Sequence, residues 1–413
     1  MELRGAKPLA VLEGKLNATI NKFQLDQIIT YILREYEVFG VQKKNNKIVF
    51  DRLNKANDLL TWAEKPIIPF KKILFPNGAV IPAEVFDYTQ TVSDSRTAGI
   101  QAAQSQPSFP ASPAGRLDPG SQASVRDDKT RRKLAFLGLV NCDAEALDIF
   151  LKEFSHTDLM PKRSDILVVT SECKPNENCF CTAFGPFDSS TELRAGKLRA
   201  GKSEFKFSDF HIQEEGKNFE IFSFSKTADK ILDENGIEKY DKKIKIREIK
   251  NQKIKLLDLK KIAAAIDDKA GHQEYWQKIA EQCFGCGACT AVCPLCFCFR
   301  PSTCHSRGGG NPGSTDNKEW IPDQSLPSTR SRVGDDKLCT NWDSCYSKSF
   351  SAISSHNFRP ENSDRLYNWY HHKFCRSMAK KNYPLCTGCG RCIDACPAHL
   401  NQHGIIRGIM NNE

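Results

Sequence analysis

The sequence predicts an α+β protein in which an N-terminal α/β region is followed by a helical, cysteine-rich region. Strand-like apolar segments alternate with amphipathic helical segments before residue 270, and most of the 18 cysteines lie after it. Two stretches, residues 91–128 and 301–336, are rich in Ser, Pro and Gly and have no apolar periodicity. We therefore predict an α/β part over residues 1–90 and 129–270, a cysteine-rich domain over residues 271–413, and two low-complexity insertions.

An amphipathic helix is predicted in the N-terminal part. Apolar residues recur at helical spacing over residues 21–39, and Gly40 is predicted to end the helix. Lys47–Phe50 follows a polar turn and is predicted to be a hairpin strand. Residues 66–70 and 73–76 are apolar but contain prolines, so we expect them to pack along a surface or a sheet edge.

A strand–helix–strand unit follows the first insertion. Residues 133–140 and 165–170 are apolar runs of strand length, and between them Asp143 is predicted to cap the N-terminus of a helix over residues 144–154. This order predicts that the two strands form a parallel pair. The remaining predicted elements are a strand at residues 219–224 and helices at residues 254–266 and 272–282.

Composition limits the classes to which the chain can belong. A hydrophobic content of 40% is enough for packed cores, and no apolar run reaches the roughly eighteen residues that a membrane-spanning helix needs. The N-terminus has no continuous apolar segment of the secretory type, so we expect a cytoplasmic protein without direct membrane insertion. The formal charge of +9 is not gathered in a basic arm, which argues against nucleic-acid binding.

Two runs of cysteines share the pattern C-x2-C-x2-C-x3-C-P, which is typical of loops that hold [4Fe–4S] clusters. Three closely spaced thiolates curl around one corner of a cubane, glycines let the backbone approach the sulfides, and the proline turns the chain away. The first run contains Cys283, Cys286, Cys289 and Cys293, and the second contains Cys386, Cys389, Cys392 and Cys396.

In two-cluster ferredoxins the fourth cysteine of each run binds the other cluster. This exchange predicts one cluster on Cys283, Cys286, Cys289 and Cys396, and another on Cys386, Cys389, Cys392 and Cys293. The alternative metal is zinc, which also takes four cysteines, although zinc sites usually come as separated C-x2-C pairs. Disulfides are not expected from the cysteines of a large chain without a secretory signal.

Other cysteines leave a third iron–sulfur site open. They are Cys173, Cys179, Cys181, Cys296, Cys298 and Cys345. The first three follow the strand predicted at residues 165–170, at the end of a strand where α/β proteins commonly place their sites, and Cys142 also follows a strand and is expected nearby. The alternative is that these residues are small buried apolar side chains, because free cysteine is among the most buried residue types.

The chain resembles the 4Fe–4S dicluster subunit family, which includes the β subunit of cytoplasmic sulfhydrogenase and the A subunit of anaerobic sulfite reductase. The resemblance is carried by C-F-G-C-G-A-C-T-A-V-C-P-L-C-F-C-F, W-D-S-C, H-N-F-R-P and C-T-G-C-G-R-C-I-D-A-C-P. The upstream N-C-D-A-E-A-L and C-K-P-N-E-N-C-F-C-T-A-F are similar to the family's N-terminal part, and the two insertions depart from it. The long separation of the two runs also resembles α-helical ferredoxins of the heterodisulfide-reductase type.

This resemblance implies an N-terminal α/β region followed by an α-helical ferredoxin-like two-cluster domain. It also implies an electron-transfer subunit that works between a flavin- and NAD(P)H-binding subunit and a catalytic subunit with sirohaem or nickel–iron. The second insertion separates Cys298 from Cys345, which puts a site shared by those two cysteines in doubt. The alternative function is that of a sulfur-compound reductase acting through a third site at Cys173, Cys179 and Cys181.

Overall fold

The computed structural model describes most of both predicted regions. The ranges are 13–60, 65–67, 69–74, 80–81, 133–155, 160–184, 207–239, 242–245, 257–268, 272–304 and 337–411. The description is confined to the backbone at residues 13–17, 80–81, 242–245, 301–304, 337–340 and 411. The first predicted insertion, at residues 91–128, lies outside the described residues.

Strands are numbered in chain order. They are β1 (Glu13–Asn21), β2 (Glu37–Lys44), β3 (Lys47–Arg52), β4 (Val80–Ile81), β5 (Leu134–Leu139), β6 (Ile166–Ser171), β7 (Phe210–Glu215), β8 (Asn218–Ser223), β9 (Lys242–Lys245), β10 (Phe299–Cys304), β11 (Lys337–Trp342), β12 (Ala352–Ile353) and β13 (His356–Asn357).

Helices follow the same convention. They are α1 (Lys22–Glu35), α2 (Lys71–Leu74), α3 (Asn141–Glu153), α4 (Lys226–Glu234), α5 (Leu259–Asp267), α6 (Gln273–Gln282), α7 (Ala288–Val292), α8 (Asn362–Tyr370), α9 (Ser377–Lys381), α10 (Arg391–Asp394) and α11 (Gln402–Asn411). A π-helical turn, His371–Arg376, joins α8 to α9.

The N-terminal part is built on an eight-stranded mixed sheet in the order β3-β2-β5-β6-β7-β8-β1-β9. The pairs β2–β5, β5–β6 and β6–β7 are parallel. The pairs β3–β2, β7–β8, β8–β1 and β1–β9 are antiparallel. The predicted parallel pair is confirmed, with Leu134 opposite Ile166. Both strands are buried on both faces, which explains their continuous apolar sequences. The chain therefore leaves β5 and β6 at the same edge of the sheet.

The first helix is shorter than its apolar pattern predicts. Helix α1 begins after Asn21, whose side chain forms a capping box with Gln24, and it ends at Glu35. Gly40 does not end the helix but lies inside β2. The predicted hairpin strand is confirmed as β3, which pairs with β2 through a turn at Asn45 and Asn46, both with positive φ.

Two local predictions, for the start of α3 and for the segment at residues 70–74, are wrong. Helix α3 begins at Asn141 with Val140 as its N-cap, so Asp143 lies inside the first turn and does not cap it. Residues 71–74 form the short helix α2, and Phe70 beside it is buried in the core rather than packed on a surface. The prolines do not keep this segment at an edge, because the aromatic Phe70 packs against Phe136 and Phe150.

The cysteine-rich part has its own core. Helices α5, α6, α8 and α11 surround Trp276, Trp369 and Tyr370, which are buried together with several of the cysteines. Phe297 packs edge-on against Phe150 of α3, so the two parts of the chain share a face. Among the described residues, no helix combines the length and apolar character needed to cross a lipid bilayer.

A hairpin crosses the position of the second insertion. Strands β10 and β11 pair antiparallel from Phe299–Trp342 to Cys304–Lys337, so residues 301–304 belong to a strand rather than to the insertion. The backbone N–H of Asp343 donates to the carbonyl of Cys298 at 3.0 Å. The second insertion therefore does not hold Cys298 and Cys345 apart in space, contrary to the expectation, because the paired strands β10 and β11 bring the residues before and after it together.

Candidate metal centres

The first cysteine run forms a loop between two helices. Helix α6 ends at Gln282, Cys283 caps it in extended conformation, and Gly287 turns with φ 73° into α7. The backbone N–H of Gly285 points at the sulfur of Cys283 at 3.4 Å, and that of Leu400 points at the sulfur of Cys396 at the same distance. Amides aimed at cysteine sulfurs are typical of iron–sulfur loops, where they stabilise thiolate charge.

Cys396 from the second run lies beside the first run. Burial, together with the thiols of Cys283, Cys293, Cys286 and Cys396, raises the pKa of Cys289 to about 12. Buried thiols of this kind lose their protons only against compensating positive charge, which bound iron supplies. These residues therefore fit a metal cluster.

A cavity brings Cys293 of the first run to the cysteines of the second. It is lined by Cys293, Cys386, Cys389 and Cys392 and by Trp369, Lys373 and Thr387. The hydroxyl of Thr387 and the indole nitrogen of Trp369 are buried and have no hydrogen-bond partner among the described residues. A cavity with four thiols and two spare donors fits a cluster that presents thiolate and sulfide acceptors.

The distances between cysteine sulfurs distinguish a [4Fe–4S] site from a site for a single zinc ion. Zn–S bonds of about 2.3 Å place the thiolates of a tetrahedral site under about 4 Å apart. Within the described residues, one group alone brings three ligand atoms within 4.8 Å of one another, and it is Asp267, His371 and Cys375 rather than a set of cysteines. The thiols of a [4Fe–4S] cluster stand further apart, because each binds a different iron.

Two buried ammonium groups lie at the end of the first run, around Cys293. Nζ of Lys373 donates to the sulfur of Cys293 at 3.2 Å and to the carbonyl of Leu385 at 2.7 Å. Nζ of Lys71 donates to the carbonyls of Thr290 and Cys296 at 2.8 and 2.7 Å. A hydrogen bond from the Cys296 thiol and the charges of the two lysines hold the pKa of Cys293 well below its usual range.

A buried ion pair ties the sheet to the second run. The guanidinium of Arg391, which lies between Cys389 and Cys392, donates to both carboxylate oxygens of Asp143 at 2.5 and 2.7 Å. Both side chains are 2% exposed. Sequence reasoning missed this pair, whose only signal was a charged residue inside a cysteine run, whereas Lys373 was expected from the sequence to neutralise cluster charge.

The other six cysteines fall into two groups. Cys298 contacts Cys345, and both lie near Cys296 and the first run. Cys173, Cys179 and Cys181 lie instead at the edge of the sheet beside the second run, together with Cys142 as the strand order predicts. The six residues therefore do not form one site.

Gly388 allows the second run to approach the loop that carries Cys181. It has φ +66°, and a Cβ placed on it would lie 2.7 Å from the backbone Cα of Cys181. We expect Gly388→Ala to cost about 1–3 kcal/mol of stability from overpacking, in addition to the backbone strain of the left-handed conformation. Unfolding midpoints of the purified protein would measure this.

Gly216→Ala is the matched control for that variant. Gly216 has φ +62° but a Cβ there would meet nothing within 4 Å, so this variant carries the backbone strain alone. Equal destabilisation by the two substitutions would show that the close approach at Gly388 is not tight.

Comparison with known proteins agrees with this chemistry. Residues 326–400 match the family described as 4Fe-4S dicluster domain. The chain is 26% identical over 394 residues to sulfhydrogenase 2 subunit beta of Pyrococcus furiosus, which covers 89% of this chain and 91% of that protein. It is also 58% identical over 31 residues to a probable ferredoxin of Methanosarcina thermophila, which covers 7% of this chain and 53% of the ferredoxin. The chain carries a match to the 4Fe–4S dicluster domain and is similar over most of its length to a sulfhydrogenase β subunit, and its cofactors are two [4Fe–4S] clusters.

Proposed function

We propose that this chain is an iron–sulfur electron-transfer subunit whose two clusters relay electrons to or from a catalytic subunit. The observation that carries the proposal is the cavity that unites Cys293 with Cys386, Cys389 and Cys392. It is supported by the proximity of Cys396 to Cys289 and Cys283. When bound, each cluster accepts and returns one electron at a time.

The proposed ligands follow the exchange between the two runs. Cys283, Cys286, Cys289 and Cys396 hold one cluster, and Cys386, Cys389, Cys392 and Cys293 hold the other. Residues of helices α6, α8, α9, α10 and α11 share one core with cysteines of both runs, which supports an α-helical ferredoxin-like domain. The exchanged fourth ligands keep the two clusters close, because each run contributes to both.

The two sites differ in their access to solvent. Cys286 is exposed and Phe284, two residues before it, is 70% exposed, whereas Cys389 and Cys392 are buried. An electron must cross less protein to reach the first site from outside. We therefore place the contact with a redox partner at the first run, where an exposed aromatic ring can be covered by the partner.

The similarity to a sulfhydrogenase subunit supports two proposed partners. One is a flavin- and NAD(P)H-binding subunit, and the other is a catalytic subunit with nickel–iron or sirohaem. The proposed site of action is the cytoplasm. In this arrangement the chain's own residues bind and orient the clusters, exclude water and set the potentials.

Single cysteine substitutions test the ligand exchange. Cys289→Ala and Cys293→Ala alter the same run, but we expect them to remove different clusters, each with loss of about four irons. We expect Cys293→Ala to resemble Cys392→Ala instead. EPR of the dithionite-reduced variants, with iron and labile-sulfide analysis, distinguishes the two signals. Cys375→Ser is the control, because its hydroxyl can keep the bond that the thiol makes to the carbonyl of Ala263.

Two results would contradict these assignments. If Cys289→Ala and Cys293→Ala remove the same signal, each run binds its own cluster and the exchange is wrong. If the isolated chain reduces sulfur compounds to sulfide without a partner, it is a reductase in its own right rather than a relay subunit.

A further inference from the structure

Four cysteines outside the two runs meet at the edge of the sheet. Cys142 lies in the first turn of α3 directly after β5, and Cys173 follows the parallel neighbour β6. Cys179 and Cys181 come from the loop that continues from Cys173 and ends in a 3-10 turn, Cys181–Phe184. Cys142, Cys179 and Cys181 are 3–5% exposed, and Cys173 is partly buried.

Contacts unite these four side chains. Cys142 and Cys181 belong to one buried cluster with Val140, and Cys173 packs against it. Cys173 lies close enough to Cys181 and Cys179 for their charges to interact, and Cys142 lies likewise close to Cys173 and Cys181. Four thiols from two separate segments of chain thus converge, whereas isolated buried cysteines would be distributed among different parts of the core.

A buried lysine supplies this group with positive charge. Nζ of Lys65 lies 3.1 Å from the sulfur of Cys179 and also donates to the carbonyl of Cys389. The lysine is 9% exposed and also forms an ion pair with Asp394 at 3.4 Å. This arrangement repeats the one at the cavity of Cys293, Cys386, Cys389 and Cys392, where Lys373 donates to the sulfur of Cys293.

The group touches the second run directly. The backbone N–H of Phe180 donates to the carbonyl of Gly388 at 2.8 Å, and the side chain of Cys389 packs with those of Cys142 and Cys181. Gly388 and Gly390 both have positive φ and lie against the backbone of residues 178–181. The hydrogen bond from Phe180, which lies between Cys179 and Cys181, therefore connects the backbone of this group directly to the backbone of the second run.

The geometry points to a third [4Fe–4S] cluster held by Cys142, Cys173, Cys179 and Cys181. Four cysteine ligands match the number that a cubane needs. No three of these sulfurs lie within 4.8 Å of one another, since the group of Asp267, His371 and Cys375 alone meets that spacing among the described residues. A single zinc ion would require closer thiols.

A cluster at the third site would extend the electron relay. This role rests on the proposed function, whereas the assignment of the site rests on the four cysteines alone. One electron passes from the reduced second cluster to the oxidised third cluster, so that the second is oxidised and the third reduced. The transfer needs no proton and no further reactant. The exposed first run and the edge of the sheet are then the two ends of a three-cluster path.

Metal analysis of the full chain tests this inference. We expect about twelve irons and twelve labile sulfides per chain after anaerobic reconstitution, since each cubane contributes four of each. Cys142→Ser, Cys173→Ser and Cys181→Ser should each lower the count to about eight while both signals from the two runs persist. Cys375→Ser should leave about twelve.

A measurement on the unmodified chain tests the inference even if a variant fails to fold. Mössbauer spectra of the unmodified chain reconstituted with 57Fe should integrate to three cubanes rather than two. About eight irons in the unmodified chain, or eight irons with one equivalent of zinc, would overturn the third cluster and leave the two-cluster relay intact.

Discussion

Replacing Asp143 with alanine is expected to cost about 3–5 kcal/mol of folding free energy, because it leaves the guanidinium of Arg391 buried without its counter-charge. Both side chains are 2% exposed, and the bidentate contact joins α3 of the sheet to the second cysteine run. Since Arg391 lies between Cys389 and Cys392, we also expect the second cluster to be lost at a lower temperature. Thermal unfolding followed by cluster absorbance and by circular dichroism measures both effects.

Asp26→Ala is the matched control for Asp143→Ala. Asp26 pairs with Lys22 one helical turn away at 2.7 Å, and both side chains are partly exposed. Pairs of this kind contribute about 0.3–0.5 kcal/mol, so the control should unfold close to the unmodified protein. The double variant Asp143→Ala with Arg391→Met should recover part of the lost folding free energy, because removal of both charges leaves no unpaired charge buried. Equal behaviour of Asp143→Ala and Asp26→Ala would show that the buried pair does not hold the two parts together.

Lys373→Met is expected to lower the reduction potential of the second cluster by on the order of 100 mV. A positive charge favours the reduced, more negative state of a cluster. At about 6 Å and an effective dielectric constant of about 20 the interaction is worth about 3 kcal/mol. Each 1.36 kcal/mol corresponds to about 59 mV for one electron. A redox titration that follows the EPR signal of each cluster measures the shift.

The first cluster and an exposed lysine provide the controls for that titration. The potential of the first cluster should move much less, because Lys373 donates to Cys293 of the second site. Lys380→Met removes the same charge from an exposed position on the next helical segment, where water and salt screen it. If both lysine variants shift the second potential equally, or neither shifts it, Lys373 does not tune this site.

Local patterns in the sequence were sufficient for the cofactors and for much of the sheet. Three cysteines of each run lie within seven residues, so their spacing alone predicts a [4Fe–4S] loop, and the match of residues 326–400 to the dicluster domain agrees. Strands β5 and β6 were predictable because continuous apolar runs are required of strands that are covered on both faces. Helix α1 was predicted too long, since apolar periodicity continues into β2 and does not mark where pairing with a neighbouring strand begins.

Contacts between distant segments were decided by the tertiary structure alone. Asp143 and Arg391 are 248 residues apart, and the Lys65 contact with Cys389 spans 324 residues. No local periodicity reports such a pair, because a charged side chain has the same sequence signal whether it faces solvent or a buried partner. The hairpin of β10 and β11 likewise joined Cys298 to Cys345 across an insertion that composition alone treats as a separation.

The sequence by itself determined that this protein carries two cysteine runs of the [4Fe–4S] type behind an α/β region, because each of these features depends on residues that are near one another in the chain. The fold decided which charges lie against the runs and that four further cysteines converge at the edge of the sheet. Parallel strands β5 and β6 deliver their following residues to one edge, and the glycines of the second run let that edge approach within backbone contact. Proximity of this kind depends on how the two parts of the chain pack, which residue spacing does not encode.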